Sequence, residues 1–403
     1  MLIPTSETDA AYIVRDALSQ GKRLAACGGG TRAGFGNGVE AAELFSSRGL
    51  SGIVDYDPAE MVMTARAGTP LAEIEAALAQ NRQMLAFEPM DHRGIMGVRA
   101  VPAGEPTIGG VFAANVSGPR RFVAGAARDS LLGVRFVNGR GEVIKAGGRV
   151  MKNVTGLDLV KLLAGSFGTL GFLTEVTFKV LPVPQAVETL VISGLSDEAA
   201  AKAMATALSL PVEVSGAAHL PYTVRHCFID GRLPEGEATV LRLEGLAPSV
   251  EVRAGKLAAV MEAFGPVSRL AGEDSRILWQ EIRDVVPYAD GTQKPLWRVS
   301  VAPSAGHQLV AALRLEAGID AFYDWQGGLI WMRMEAEPEA ELLRRYIRAL
   351  GGGHATLVRA SDPVRAQTAA FEPQPDAVAL LSARVKQKLD PAGIFSPGRM
   401  VDR

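Results

Sequence analysis

The chain is poor in cysteine and histidine, and each shortage excludes something. Only Cys27 and Cys227 occur among 403 residues, which rules out a disulfide framework and points to a reducing compartment. Two cysteines also cannot hold an iron–sulfur cluster without outside ligands, since clusters take about four. The five histidines, His92, His219, His226, His307 and His354, show no paired spacing such as His-Gly-x-His, so no metal is expected. Net charge is scarce too. At −2, with basic residues scattered and never in blocks, nothing suggests nucleic-acid binding. The uncharged stretch from Leu162 to Thr174 is glycine-rich and well short of the ~20 residues a membrane helix needs. The opening Met1-Leu-Ile-Pro-Thr-Ser-Glu lacks the basic and apolar regions of a signal peptide. With 48% hydrophobic residues, the composition reads as a cytoplasmic protein with a packed interior, long enough for two domains or three.

Glycine is abundant, at 44 residues, and it gathers in three islands. These are Cys27-Gly-Gly-Gly-Thr-Arg-Ala-Gly, Pro106-Thr-Ile-Gly-Gly-Val-Phe-Ala-Ala-Asn-Val-Ser-Gly and Gly165-Ser-Phe-Gly-Thr-Leu-Gly-Phe-Leu-Thr-Glu-Val. A residue without Cβ lets backbone come close to a ligand and costs about 0.5–1 kcal/mol in regular structure. Three islands beside strand-like runs therefore suggest backbone closing on a large flat ligand that carries phosphate. Residues 28–33 formally satisfy the dinucleotide pattern, with Asp55 as a later acidic residue. That reading needs a helix directly after the loop, and Gly34-Phe-Gly-Asn-Gly38 would break one. No Lys-Ser/Thr follows a P-loop frame. What remains are tight turns, or a nest of successive backbone N–H groups for a pyrophosphate. On the nest reading the second island lies against an isoalloxazine or ribityl chain, with Asn115 and Ser117 on its polar edge; as turns, those two residues simply cap backbone.

Periodicity predicts a helix over Ser6–Gln20 with Ala10, Ile13, Val14, Ala17 and Leu18 inward, and a strand at Arg23–Cys27. Strands are predicted at Gly52–Tyr56 and Met61–Ala67, then a helix capped by Thr69 with Pro70 at its first position. Asn138-Gly-Arg-Gly marks a hairpin, and Phe172–Val180 alternates as a strand stopped by Pro182 and Pro184. Beyond Val187 the pattern becomes strand–helix–strand in split units, an antiparallel α+β region of ferredoxin-like halves. The expected division is 1–183, 184–375, and a turn-rich 376–403 packing back on the first part.

The run Thr107-Ile-Gly-Gly…Asn115…Gly118, Arg128-Asp129 before a hairpin, and Gly168-Thr-Leu-Gly-Phe-Leu-Thr-Glu-Val-Thr resemble the vanillyl-alcohol-oxidase (PCMH-type) FAD-binding superfamily. The terminal Leu389-Asp-Pro-Ala-Gly-Ile-Phe-Ser-Pro-Gly-Arg also resembles the chain end in that superfamily. Within it, Cys27-Gly-Gly-Gly-Thr-Arg, Met84-Leu-Ala-Phe-Glu-Pro, Gly148-Arg-Val-Met-Lys-Asn-Val-Thr-Gly-Leu-Asp and Pro295-Leu-Trp-Arg-Val-Ser-Val resemble FAD-binding subunits of glycolate oxidase. The resemblance implies an α+β fold, with two lobes cradling FAD and a cap above them. It implies FAD contacts from Cys27, Gly28, Gly29, Gly30, Thr31, Arg32, Thr107, Ile108, Gly109, Gly110, Asn115, Ser117, Gly118, Gly168, Thr169, Leu170, Gly171 and Val176. It further implies a complex with a related flavoprotein subunit and an iron–sulfur subunit, oxidising glycolate to glyoxylate and reaching a membrane only through partners. Some superfamily members tether FAD through a loop histidine; residues 27–38 have none, so FAD should be non-covalent.

Oxidising a 2-hydroxy acid needs a cation for its carboxylate and a base for its hydroxyl proton. Arg298 is the candidate cation. His354, after Gly351-Gly-Gly, is the candidate base, with His92 in Asp91-His-Arg-Gly as another. Lys152 and Asn153 are candidate FAD contacts. Each also has an ordinary structural reading. Of two readings, a chain that oxidises substrate itself and one that carries FAD as a structural or electron-relay subunit for its partner, the missing metal motif and sparse histidines slightly favour the second.

Overall fold

The computed structural model describes residues 1–39, 43–96, 104–150 and 156–400. Its strands are β1 (Leu24–Cys27), β2 (Glu43–Ser46), β3 (Ile53–Asp57), β4 (Val62–Arg66), β5 (Gln83–Met84), β6 (Leu131–Val137), β7 (Val143–Gly147), β8 (Phe172–Lys179), β9 (Leu181–Pro182), β10 (Ala186–Ser193), β11 (Val214–Leu220), β12 (Ala238–Gly245), β13 (Val267–Ala271), β14 (Leu296–Val301), β15 (Ile319–Asp324), β16 (Leu329–Met334) and β17 (Gly353–Arg359).

Two small layers build the first lobe. β1 and β2 pair in parallel, under a helix at Glu7–Ser19 whose N-cap Ser6 accepts from the Asp9 amide. Ala10, Ala11, Val14 and Ala17 of that helix are buried with Phe45, Phe172 and Phe395, whereas Leu18 faces solvent. The inward stripe thus includes Ala11 and excludes Leu18, because three small alanines let the helix sit close on the aromatic pair Phe45–Phe172, whose centroids are 3.9 Å apart. The second layer is a five-stranded antiparallel sheet, β3-β4-β8-β6-β7. Its β6–β7 hairpin turns where Asn138 Oδ1 accepts from the amides of Arg140 and Glu142. The helix at Leu71–Gln80 buries Leu71, Ile74 and Leu78, but its N-cap is Pro70. Thr69 instead spends its hydroxyl on the Arg66 and Gly52 carbonyls, tying the β4 turn to the start of β3.

The second half is one eight-stranded sheet in the order β13-β10-β12-β11-β15-β16-β14-β17. Every pairing in it is antiparallel. Each end is a βαββαβ unit with its fourth strand beside its first, the ferredoxin-like arrangement. The first takes helices Asp197–Ser209 and Ala247–Met261, and the second takes Gly306–Arg314 and Ala340–Ala349. The two units meet at a single β11–β15 pair, His219 opposite Tyr323. There Asp197 accepts from Tyr323 Oη and Arg314 at 2.7 and 2.8 Å, and its other oxygen lies 3.2 Å from His219 Nε2. A paired, buried carboxylate of this kind satisfies a seam that would otherwise leave polar groups unmade.

Two connections fasten the halves. Residues 394–396 run beside β1, with Leu24 N donating to Ile394 O and Ser396 N to Leu24 O, both at 2.8 Å. Deeper in, Glu88 and Arg120 of the first part meet Arg242 and Glu244 of β12. Arg120 pairs with Glu88 at 3.0 Å and with Glu244, and Arg242 reaches Glu88 at 2.9 Å and Glu244 at 3.3 Å. Arg242 also lies over the Trp279 ring at 4.6 Å. Burial would raise the Glu244 carboxyl, but Arg242 and Arg120 outweigh it and hold it down at about 2. A folded pKa below the usual 4.5 gives stability that is full above that pH and lost as pH falls toward 2. Arg242→Met leaves two buried carboxylates short of a partner, so about 3–5 kcal/mol should be lost; denaturant unfolding measures it, and a change under 1 kcal/mol would show the network to be incidental.

Candidate functional site

The first glycine island leaves β1 and enters turns, not a helix; the first α-helix after it begins at Leu71. A loop of that shape is held from outside. Arg48 donates to Gly29 O at 3.0 Å, Ser46 to Gly28 O at 3.2 Å, and the Gly104 amide to Gly29 O at 2.8 Å. Arg399 donates to the Ala33 and Phe35 carbonyls, and Arg365 to Gly36 O at 2.6 Å. Beneath the loop lies an open cleft with a cavity volume of about 140 Å³.

Cys27, Gly28, Gly29, Gly30, Thr31 and Arg32 line this cleft from one side, Thr107, Gly109 and Gly110 from a second, and Gly168 and Gly171 from a third. The three islands therefore converge on one space. The other residues of the sequence reading lie elsewhere. Ile108 and Val176 are wholly buried in the core, and Leu170 packs against it. Asn115 Oδ1 accepts from Arg128 N, and Ser117 Oγ accepts from Ala127 N, so both fasten the chain to itself. Thr169 bonds Ser166 O, and the Gly118 carbonyl accepts from Trp325 Nε1 at 3.0 Å. Lys152 and Asn153 fall outside the described residues. Asp55, the acidic residue of the dinucleotide pattern, is ion-paired to Arg149 on the surface. Gly29 needs its missing side chain for another reason than ligand approach: an added Cβ would overlap the Glu105 carbonyl oxygen.

Cations border the cleft. Arg32 is desolvated, which pulls it down to about 10, and its Nε donates to His92 Nδ1 at 3.1 Å. A ring nitrogen that accepts from guanidinium carries no proton of its own, so His92 is neutral with its hydrogen on Nε2. Burial, Arg32 and Arg298 together hold His92 well below 6.5. That bond leaves His92 no free lone pair with which to take a substrate proton.

Arg298 lies on β14 and His354 on β17. Their register sets Arg298 opposite Thr356 and Ser300 opposite His354, so both side chains leave the same face of the sheet. His354 is thus a strand residue and not part of the glycine turn before it. Arg298 sits 4.9 Å from the Trp325 ring centroid, and Arg121, from the first lobe, sits 4.5 Å from the same ring. Burial and Arg121 pull Arg298 down to about 10. His354 is exposed; partial desolvation by the protein around it, then Arg298 and Arg121, lowers it below 6.5. The buried Asp324 carboxyl is pushed up to about 7, chiefly by burial, so it carries only part of its charge at neutral pH. Arg121 and Trp325 carried no glycine or histidine signal in the sequence, and only the fold brings them here.

An FAD binding domain family matches residues 1–147. The chain is 36% identical to the glycolate oxidase subunit GlcE of Escherichia coli (strain K12) over 393 residues, covering 96% of this chain and 95% of that one. It is 30% identical to the glycolate oxidase subunit GlcD of Bacillus subtilis (strain 168) over 171 residues, 42% of this chain and 33% of that one. In structure it is similar to p-cresol methylhydroxylase, with a TM-score of 0.70 and 15% identity over 99% of this chain and 88% of the other. The fold is therefore the PCMH-type one, with mixed helices and antiparallel sheets, and the cofactor is FAD. The glycine-floored cleft with Arg32 at its wall suits an anionic dinucleotide. Gly29→Ala, by forcing the loop off Glu105, should lower both the melting temperature and the flavin absorbance per chain; unchanged flavin content would free Gly29 from any part in shaping the cleft.

Proposed function

The chain belongs to the glycolate oxidase subunit GlcE family of FAD-linked oxidoreductases, and from that membership we propose that it binds FAD non-covalently and itself oxidises a small 2-hydroxy acid, glycolate foremost. The observation that carries the proposal is the set of cations gathered at Trp325, Arg298 with His354 on one sheet face and Arg121 across the ring, linked to the cleft wall through His92, which Arg298 acts on and Arg32 bonds. FAD, when bound, supplies the hydride acceptor.

The protein's own work is done by side chains. Arg298 holds the substrate carboxylate, since guanidinium and carboxylate match as a two-bond fork. His354 is neutral at neutral pH and takes the hydroxyl proton. The nearby guanidiniums then disfavour the resulting imidazolium and return that proton to water. Cys27 lines the cleft with its thiol raised by burial, which keeps it a poor nucleophile and supports non-covalent FAD. The reading divides the chain at 183/184 and 375/376 into FAD domain, cap and returning tail. It places the protein in the cytoplasm with a related flavoprotein and an iron–sulfur subunit as partners, supported by the word subunit in the relatives' names and by the two cysteines. Among the described residues no helix is long and apolar enough to cross a membrane.

A competing reading makes the chain an electron relay for a partner that oxidises the substrate. The holo-chain, mixed anaerobically with glycolate, separates the two: bleaching of its flavin supports oxidation here, and an unchanged spectrum supports the relay. For the oxidising chain, kcat/KM should rise with pH and level off below about pH 6.5, because His354 must be neutral; His354→Gln should remove that rise. Acid precipitation should release all flavin into the supernatant, and colour retained in the pellet would overturn the non-covalent assignment.

A further inference from the structure

We propose that Arg121 is the second half of the substrate-anion clamp, and that Trp325 is the positioning residue that holds Arg121 and Arg298 together. This rests on the reading that Arg298 binds a carboxylate. Three features carry it.

The first is the absence of a protein partner. Neither guanidinium donates to a side-chain or backbone acceptor among the described residues. The carboxylate that acts most on Arg121 is Asp129, which caps the Ala126 amide at 2.8 Å. The one acting on Arg298 is Asp324, whose Oδ1 accepts from the Trp325 amide at 2.7 Å. Arg120, the very next residue, is doubly paired, so the segment has carboxylates to spend and does not spend them on Arg121. Two like charges left facing each other repel unless an anion joins them.

The second is the shared ring. Trp325 lies within 5 Å of both guanidinium carbons, and a ring face attracts such cations. Arg121 comes from the helix at Arg121–Ala124 of the first lobe and Arg298 from the cap sheet. One side chain therefore sets the separation of groups that belong to opposite walls.

The third is how firmly that ring is fixed. Its Nε1 bonds the Gly118 carbonyl, three residues before Arg121. Trp325 and Gln326 both adopt left-handed backbone, at φ 49 and 65°. Bulky residues are uncommon there and cost of order 1–3 kcal/mol each, a strain that collects at functional sites. The ligand class that follows is a compact carboxylate, small enough to be gripped from two walls, with its reacting carbon toward the cleft.

Oxalate, a carboxylate with no hydride to give, is the probe. Its binding to the FAD-loaded chain is read by calorimetry and by its perturbation of the flavin spectrum, and glycolate turnover gives the kinetic split. Arg121→Gln should weaken oxalate and raise the glycolate KM at least about tenfold, the loss of one charge-assisted contact, with flavin content unchanged. Arg121→Lys should restore part of the loss. Trp325→Leu should raise KM in the same direction while both arginines remain. Oxalate binding that is normal in Arg121→Gln but lost in Arg298→Gln overturns this inference and leaves the proposed function standing. No oxalate binding by the unaltered chain overturns both.

Discussion

The Arg120 side chain, held between Glu88 and Glu244, is the contact on which the working geometry depends. It carries one lobe's carboxylate and the other's on a single guanidinium, with Arg242 closing the square. Buried ions of this kind are weak evidence of net stability, because removing four charges from water is costly. Their value lies in fixed relative position. The chain from Gly118 to Ala124 turns on Arg120 and presents Arg121 from the next position, while the Gly118 carbonyl receives Trp325. A slip at the square would move both walls of the cationic site at once.

Two adjacent arginines thus have opposite electrostatic lives. Arg120 is saturated with carboxylates; burial pulls it down, but Glu88 and Glu244 outweigh burial and raise it. Arg121 has none bonded to it and is lowered by its surroundings. Arg121 is exposed and is solvated in the free chain, and an anion held between it and Arg298 would add the countercharge that no side chain gives. Nearby Asp324 does not fill that role. Its burial favours the protonated form, which reduces the countercharge it offers.

Much of the scaffold was legible because its signals are local. Alternation along Phe172–Lys179 and the Asn138-Gly turn specify strands whatever their neighbours. The ferredoxin-like halves follow from the order of strand and helix patterns. Glycine islands located the cleft, since a tight backbone approach leaves that residue as its trace. The finer assignments are less legible where one residue has two possible partners. Asn115 and Ser117 have the right polar groups for a cofactor, yet local backbone amides take them. Arg121 and Trp325 were illegible for the opposite reason. They lie 204 positions apart in the numbering, and nothing in either neighbourhood records that they share a ring.

The returning tail has a consequence for synthesis. The loop from Gly28 to Phe35 is pinned by Arg399, more than 360 positions later, and β1 is flanked by residues 394–396. While a ribosome is still making the cap, the loop already exists but the residues that pin it do not. Cofactor capture is thereby deferred until the chain has been made through its last pinning residue, so a prematurely terminated product would hold FAD poorly even with every glycine island intact.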